Sequence, residues 1–160
     1  MARKPKIKIL TETALGLNPM VDSSFVIPIR KSALPHQFKI DGDLKLPVEL
    51  EMEKEDLVKV YTKSENRLHV ANLSNGAKSL YLHIVYEIPY GKDYIEINFK
   101  RYMQENNISS LNTYKAALQE LHSQLFICPS VVKGIYWINP RLFFAGNRVT
   151  KYPKNVIISQ

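Results

Sequence analysis

Residues 109–139 read SSLNTYKAALQELHSQLFICPSVVKGIYWIN. Leu111, Tyr114, Leu118, Leu121 and Leu125 recur at spacings of three and four, which lines up one apolar seam on a helix. Ser109 or Ser110 is the expected N-cap, because a short hydroxyl side chain can accept from the unpaired amides of the first turn. The spacing predicts a helix from residue 109 to about residue 124, with an outer face of Asn, Thr, Lys and Gln. Two apolar runs follow at once, LFIC and IYWIN, joined by PSVVKG. Gly134 can take the positive φ that a tight turn needs, so residues 125–139 read as a β-hairpin.

Upstream the signals continue. Ser74 or Asn75 can cap a helix whose inner face is Ala77, Leu80, Tyr81, Ile84, Val85 and Ile88, and Pro89 and Gly91 end it. In YIEINF, Ile95, Ile97 and Phe99 alternate with polar residues, the pattern of a short half-buried strand. Asn98 can cap a second short helix, with Phe99, Tyr102 and Met103 inward and Asn106-Asn107 closing it. Helix, strand, helix, helix, hairpin is the order of a winged helix-turn-helix, an α+β fold. There the strand after the first helix joins the two hairpin strands in one small sheet. The third helix enters the major groove with its N-terminal residues toward base edges.

Residues 1–24 read as a basic flexible arm, polybasic at first and then turn-rich. Residues 25–72 read as a small β-rich extension. FVIPIR is a strand candidate that its Pro confines to an edge. FKIDGDLKL sets Asp-Gly between two alternating runs, a hairpin signal. LVKVYT and RLHVANL are expected to form a second hairpin. ELEMEKED between them reads as a solvated turn or short helix, and its spacings match no metal-binding loop. The winged-helix domain is placed at residues 73–150, and residues 151–160 are a C-terminal tail.

With 45% apolar and 23% charged residues in 160, the chain can bury a core of its own. The single cysteine, Cys128, rules out an internal disulfide or a multi-cysteine metal site and reads as a buried, inert thiol. No run approaches the roughly 18 apolar residues that span a membrane. MARKPKIKIL is basic but has no apolar signal core, so a cytoplasmic location is expected. His36, His69, His83 and His122 are scattered and form neither H-E-x-x-H nor H-x-H. There is no Gly-rich phosphate loop and no G-x-S-x-G. No catalytic residue, metal, cofactor or small-molecule substrate is expected, and the chain reads as a non-enzyme. Trp137, Phe143 and Phe144 read as packing residues.

The net charge of +7 is unevenly spread. Residues 1–8 carry +4, residues 41–56 carry −5 and residues 100–160 carry +6, with no acid past Glu120. A basic tail on an acid-free third of the chain suits phosphate contacts. The expected DNA-binding residues are Lys100 and Arg101 at the start of the second helix, and Ser110, Asn112, Thr113, Lys115 and Gln119 on the third. Lys133 at the hairpin tip, Arg141, Arg148 and Lys151 complete the set. Asn and Gln can read adenine, Thr can touch a thymine methyl or a phosphate, Lys115 can reach guanine or the backbone, and Ala116 allows close approach.

The succession TYKAALQELHSQ, FICPS, a short turn, then Y-W-I-N-P, a Phe pair and G-N-R resembles the plasmid replication and maintenance proteins of the RepL type. The resemblance covers about residues 74–150. It implies origin or operator binding without chemistry, with the third helix and the Gly146 to Arg148 region near DNA. The expected function is sequence-specific binding of double-stranded DNA in plasmid-type replication initiation or maintenance. A transcriptional repressor, or a winged-helix protein-interaction module without DNA binding, stands as the alternative. Such domains often bind as symmetric homodimers, though the sequence shows no dimer helix.

Overall fold

A computed structural model of the chain describes residues 15–30, 38–41, 44–47, 58–61 and 64–159. Along them run β1 (Ile27–Arg30), β2 (Phe38–Asp41), β3 (Leu44–Pro47), β4 (Val58–Val60), α1 (Ser64–Ala71), α2 (Asn75–Glu87) and β5 (Tyr94–Glu96). These are followed by α3 (Phe99–Glu105), α4 (Leu111–Ser123), β6 (Ile127–Pro129), β7 (Ile135–Ile138), β8 (Phe143–Ala145), α5 (Arg148–Lys151), a 3₁₀ turn (Pro153–Asn155) and β9 (Val156–Ser159). The architecture is mixed α+β. The basic residues 1–8 and the run ELEMEKED lie outside the described residues.

Side-chain caps set the helix ends. The Ser74 hydroxyl accepts from the Ala77 amide at 3.2 Å and starts α2. The Asn98 side chain accepts from the Arg101 amide at 3.2 Å and starts α3. Ser110 caps α4 by accepting from the Thr113 amide. α3 ends where Asn107 turns to φ 53°, one of the few residue types that tolerate that region, and Ile108 donates back to the Met103 carbonyl at 2.8 Å. α4 ends in the same way at Leu125, φ 59°, with Phe126 donating to the Leu121 carbonyl at 2.9 Å. That termination corrects the expected seam. Leu125 is left 61% exposed and Phe126, at 0%, takes the buried place. Leu111 is also exposed, at 42%, and Ala117, absent from the expected seam, is buried beside Tyr114 and Leu121. Small residues bring α2 and α4 together: a Cβ built on Gly76 would stand 3.9 Å from the Ala117 Cβ.

β5, β7 and β6 form one antiparallel sheet in the order β5-β7-β6, with Tyr94 opposite Trp137 and Ile127 opposite Ile138. The strand after α2 thus joins the hairpin that follows α4. Period-two alternation divides the side chains. Ile95, Ile127 and Ile138 face the helices and belong to the main core. Ile135 and Trp137 face the other way, where Leu15 covers them and Met20, Tyr94 and Cys128 pack around. Residues 15–24 are therefore not a loose arm. Leu15 is 4% exposed, and the buried Asn18 donates to the Ile138 carbonyl at 2.9 Å.

β1 and β4 do not form a separate layer either. β1 runs parallel to β9, and β4 is antiparallel to β8, so each pairing joins the amino-terminal part to the carboxy-terminal part. Phe25, Ile27, Phe143, Phe144 and Tyr152 share one core with Leu80, Ile84 and Leu121. Burying each large apolar side chain contributes about 1.5–3 kcal/mol, enough to hold short two-stranded pairings that would not stand alone. Phe38–Asp41 and Leu44–Pro47 pair antiparallel as expected of FKIDGDLKL, with Asp41 opposite Leu44. The second expected hairpin is not formed. LVKVYT supplies β4, whose partner is β8, and RLHVANL lies in α1 and the turn after it. Half-buried Asn66, half-buried Val70 and buried Leu73 recur there at spacings of four and three, a helical face that four alternating residues could not reveal. Among the described residues no helix is long and apolar enough to cross a membrane.

Candidate nucleic-acid interface

The inner face of α4 decides what its outer face can offer. Tyr114, Ala117 and Leu121 are buried. The Tyr114 ring lies 6.1 Å from Phe99 and 5.8 Å from Tyr102, which ties α4 to α3. Burial pushes the Tyr114 phenol up to about 12, so it stays neutral and leaves no negative charge beneath the helix. With that face fixed inward, Asn112, Thr113, Lys115, Ala116 and Gln119 stand exposed together. Ser110 is exposed too, but its hydroxyl is committed to the cap.

The acids of α2, α3 and α4 are turned to internal use. Glu120 accepts from the Ser74 amide at 2.7 Å and from the Ser74 hydroxyl at 2.5 Å. Those bonds hold its carboxyl below the ordinary range, and the carboxylate also meets the positive end of the α2 dipole. Glu87 and Glu105 are bound by Arg101, which donates to Glu87 at 2.8 and 3.0 Å and to Glu105 at 2.6 Å. His83 lies 3.6 Å from the same Glu105. Arg101, expected among the DNA contacts, is thus a clamp between α2 and α3.

The remaining expected bases divide sharply. Lys100, Lys115 and Lys133 are exposed, and none has an ion pair among the described residues. Lys133 sits in the turn between β6 and β7, before Gly134 at φ 86°. Arg141 donates to Asp22 at 2.9 Å and to the Ser24 hydroxyl at 2.6 Å. Arg148 donates to the Pro140 carbonyl at 2.7 Å and lies 3.2 Å from the centre of the Tyr61 ring. Burial lowers its pKa, yet a guanidinium stays charged at any ordinary pH. Lys151 lies 3.8 Å from Asp93. Arg141 and Arg148 tie the carboxy-terminal part to the amino-terminal Asp22, Ser24 and Tyr61, and Lys151 ties α5 to Asp93 before β5.

Asp93 anchors a buried polar joint that sequence reading missed. It accepts from Asn18 at 3.3 Å and from the Tyr152 hydroxyl at 2.9 Å. Burial and the Asp93 charge drive the Tyr152 phenol well above its usual range. Asn18, Asp93 and Tyr152 are far apart in sequence and carry no motif, so nothing in one dimension could have assembled them.

Two motif residues of YWINP–FFAGNR also serve the scaffold. The Asn139 side chain donates to the Leu125 carbonyl at 2.8 Å and accepts from the Arg141 amide at 3.0 Å. Asn147 caps α5 by accepting from the Val149 amide at 3.0 Å. Among the described residues no group of His, Cys, Asp and Glu could hold a metal ion. In comparison with known proteins, no family model, no curated protein and no solved structure matches the chain.

Proposed function

We propose that the chain is a winged-helix protein that binds double-stranded DNA sequence-specifically, with α4 in the major groove and the β6–β7 turn as the wing. The observation that carries this reading is the outer face of α4. It is polar and exposed, its one acid is spent on capping α2, and lysines without an ion pair among the described residues stand on α4 itself and at the start of α3. The helix–strand–helix–helix–hairpin order and the β5-β7-β6 sheet support it, being the frame that presents a third helix to a groove. Affinity comes from lysine–phosphate contacts, and sequence choice comes from the side chains of α4.

Plasmid-type replication initiation or maintenance is the role we infer, on the resemblance to the RepL type. Of the residues that carry the resemblance, TYKAALQELHSQ lies on α4 and its C-cap, FICPS holds β6, and YWINP with FFAGNR builds β7, β8 and the start of α5. Fluorescence anisotropy with a random duplex at about 50 mM and 200 mM salt tests the binding. The reading expects salt-dependent affinity, and no binding at the lower salt contradicts it. The role is tested with a plasmid that carries the selected site and lacks its own initiator. Maintenance only when the chain is supplied supports replication, and loss in its presence removes that role.

A further inference from the structure

The direction in which α4 faces narrows what it can read. At 3.6 residues per turn, the line opposite buried Tyr114, Ala117 and Leu121 is occupied by Asn112, Ala116 and Gln119, spaced four and three apart. Other side chains of the helix point off this line. Thr113 and Glu120 share one flank, which Glu120 joins to Ser74 at the start of α2. Leu111, Lys115 and His122 share the other flank. Ser123, which continues the row, donates its hydroxyl to the Glu120 carbonyl at 2.9 Å. What enters first is therefore two amides on either side of a methyl group, with no charge.

The residue that reads guanine best, arginine, is absent from α4. Arg101, Arg141 and Arg148 are each bound elsewhere in the fold. Asparagine and glutamine make paired bonds to the N6 and N7 edge of adenine, and an alanine methyl packs against the thymine methyl. Lys115, a compact hydrated charge on the flank, suits a phosphate. With a rise of 1.5 Å per residue, Asn112 and Gln119 are about 10 Å apart along the helix, about three base-pair steps.

Resting on the DNA reading, we propose that the site bound by this chain is selected for A·T pairs in the major groove. Asn112 and Gln119 read adenines up to about three steps apart, and Ala116 meets a thymine methyl between them.

The test begins with selection of bound duplexes from a random pool using the full chain. A·T pairs at the contacted positions are expected. Replacing each contacted adenine by 7-deazaadenine, which lacks the N7 acceptor, is expected to weaken binding about five-fold or more. Asn112→Ala and Gln119→Ala are each expected to abolish that penalty at one position only. Replacing the central thymine by deoxyuridine is expected to weaken the wild type and leave Ala116→Gly unaffected. All three side chains are exposed, so the variants keep the core. Tight binding to a selected site with G·C at those positions, or deaza penalties unchanged in both variants, overturns the inference and leaves DNA binding standing. No binding to any duplex at about 50 mM salt removes the DNA reading and this inference with it.

Discussion

Removing the Lys115 amine is the most discriminating change, because Lys115 has no ion pair among the described residues. Lys115→Ala leaves the internal contacts intact and should change stability by less than about 0.5 kcal/mol. Its effect on DNA binding is calculable. Each phosphate contact adds about −0.9 to the slope of log affinity against log salt. A four-fold rise in salt then costs about 3.5-fold per contact. Contacts from Lys100, Lys115 and Lys133 would together cost about 40-fold between 50 and 200 mM, and Lys115→Ala would reduce that to about 12-fold. Any contribution from the amino-terminal bases multiplies both figures equally and leaves their ratio unchanged. Anisotropy titrations over that salt range read the slope directly. Arg101→Ala is the control. Its guanidinium is bound to Glu87 and Glu105, so its loss should lower the melting temperature and leave the slope unaltered. A slope unchanged in Lys115→Ala but flattened in Arg101→Ala would refute the division of bases into contacts and clamps.

Leu125 adopts φ 59° and is largely exposed, so Leu125→Gly should relieve left-handed strain and stabilise the fold by about 0.5–1 kcal/mol, read by urea denaturation. Destabilisation would mean that the leucine contributes packing. Arg148→Ala removes a charged hydrogen bond to Pro140 and the stack on Tyr61, and should cost about 2 kcal/mol with the salt slope of DNA binding unchanged. The folded pKa of Glu120 is depressed below 4.5, first by its bond from the Ser74 hydroxyl. Its stabilisation is therefore full above that value and lost as pH falls through the folded pKa. The gap in melting temperature between wild type and Glu120→Ala should persist at neutral pH and close in acid, and a constant gap would assign the effect to helix propensity.

Elements held by their own termini were legible in one dimension. Ser74, Asn98 and Ser110 each cap the helix expected of them, and Asn107 and Gly134 take the positive φ expected of a helix end and a turn. The antiparallel pairing of β2 with β3 was legible because its register is local, although Asp41, read as part of the turn, lies in β2 opposite Leu44. Pairings between distant segments were not legible. β1 with β9 and β4 with β8 depend on burial in a shared core, and strands of three or four residues carry too little pattern to name a partner. The same limit hid the cover that Leu15 places over Trp137. In the candidate interface, the polar face of α4 was readable from helical spacing. The roles of the bases were not, because a guanidinium in a sequence does not disclose its carboxylate. Arg101 and Lys100 are neighbours in the chain, yet one clamps α2 to α3 and the other has no ion pair among the described residues.

The central claim is that the outer face of α4 meets duplex DNA. Titration of the isotopically labelled chain with a random duplex, followed through backbone amide chemical shifts, tests it residue by residue. The largest shifts should fall on residues 110–119, at Lys100 and in the turn around Lys133, with Arg141, Arg148 and the Asn18–Asp93 joint undisturbed. Shifts centred on that joint or on the β1–β9 pairing, with α4 unmoved, would contradict it.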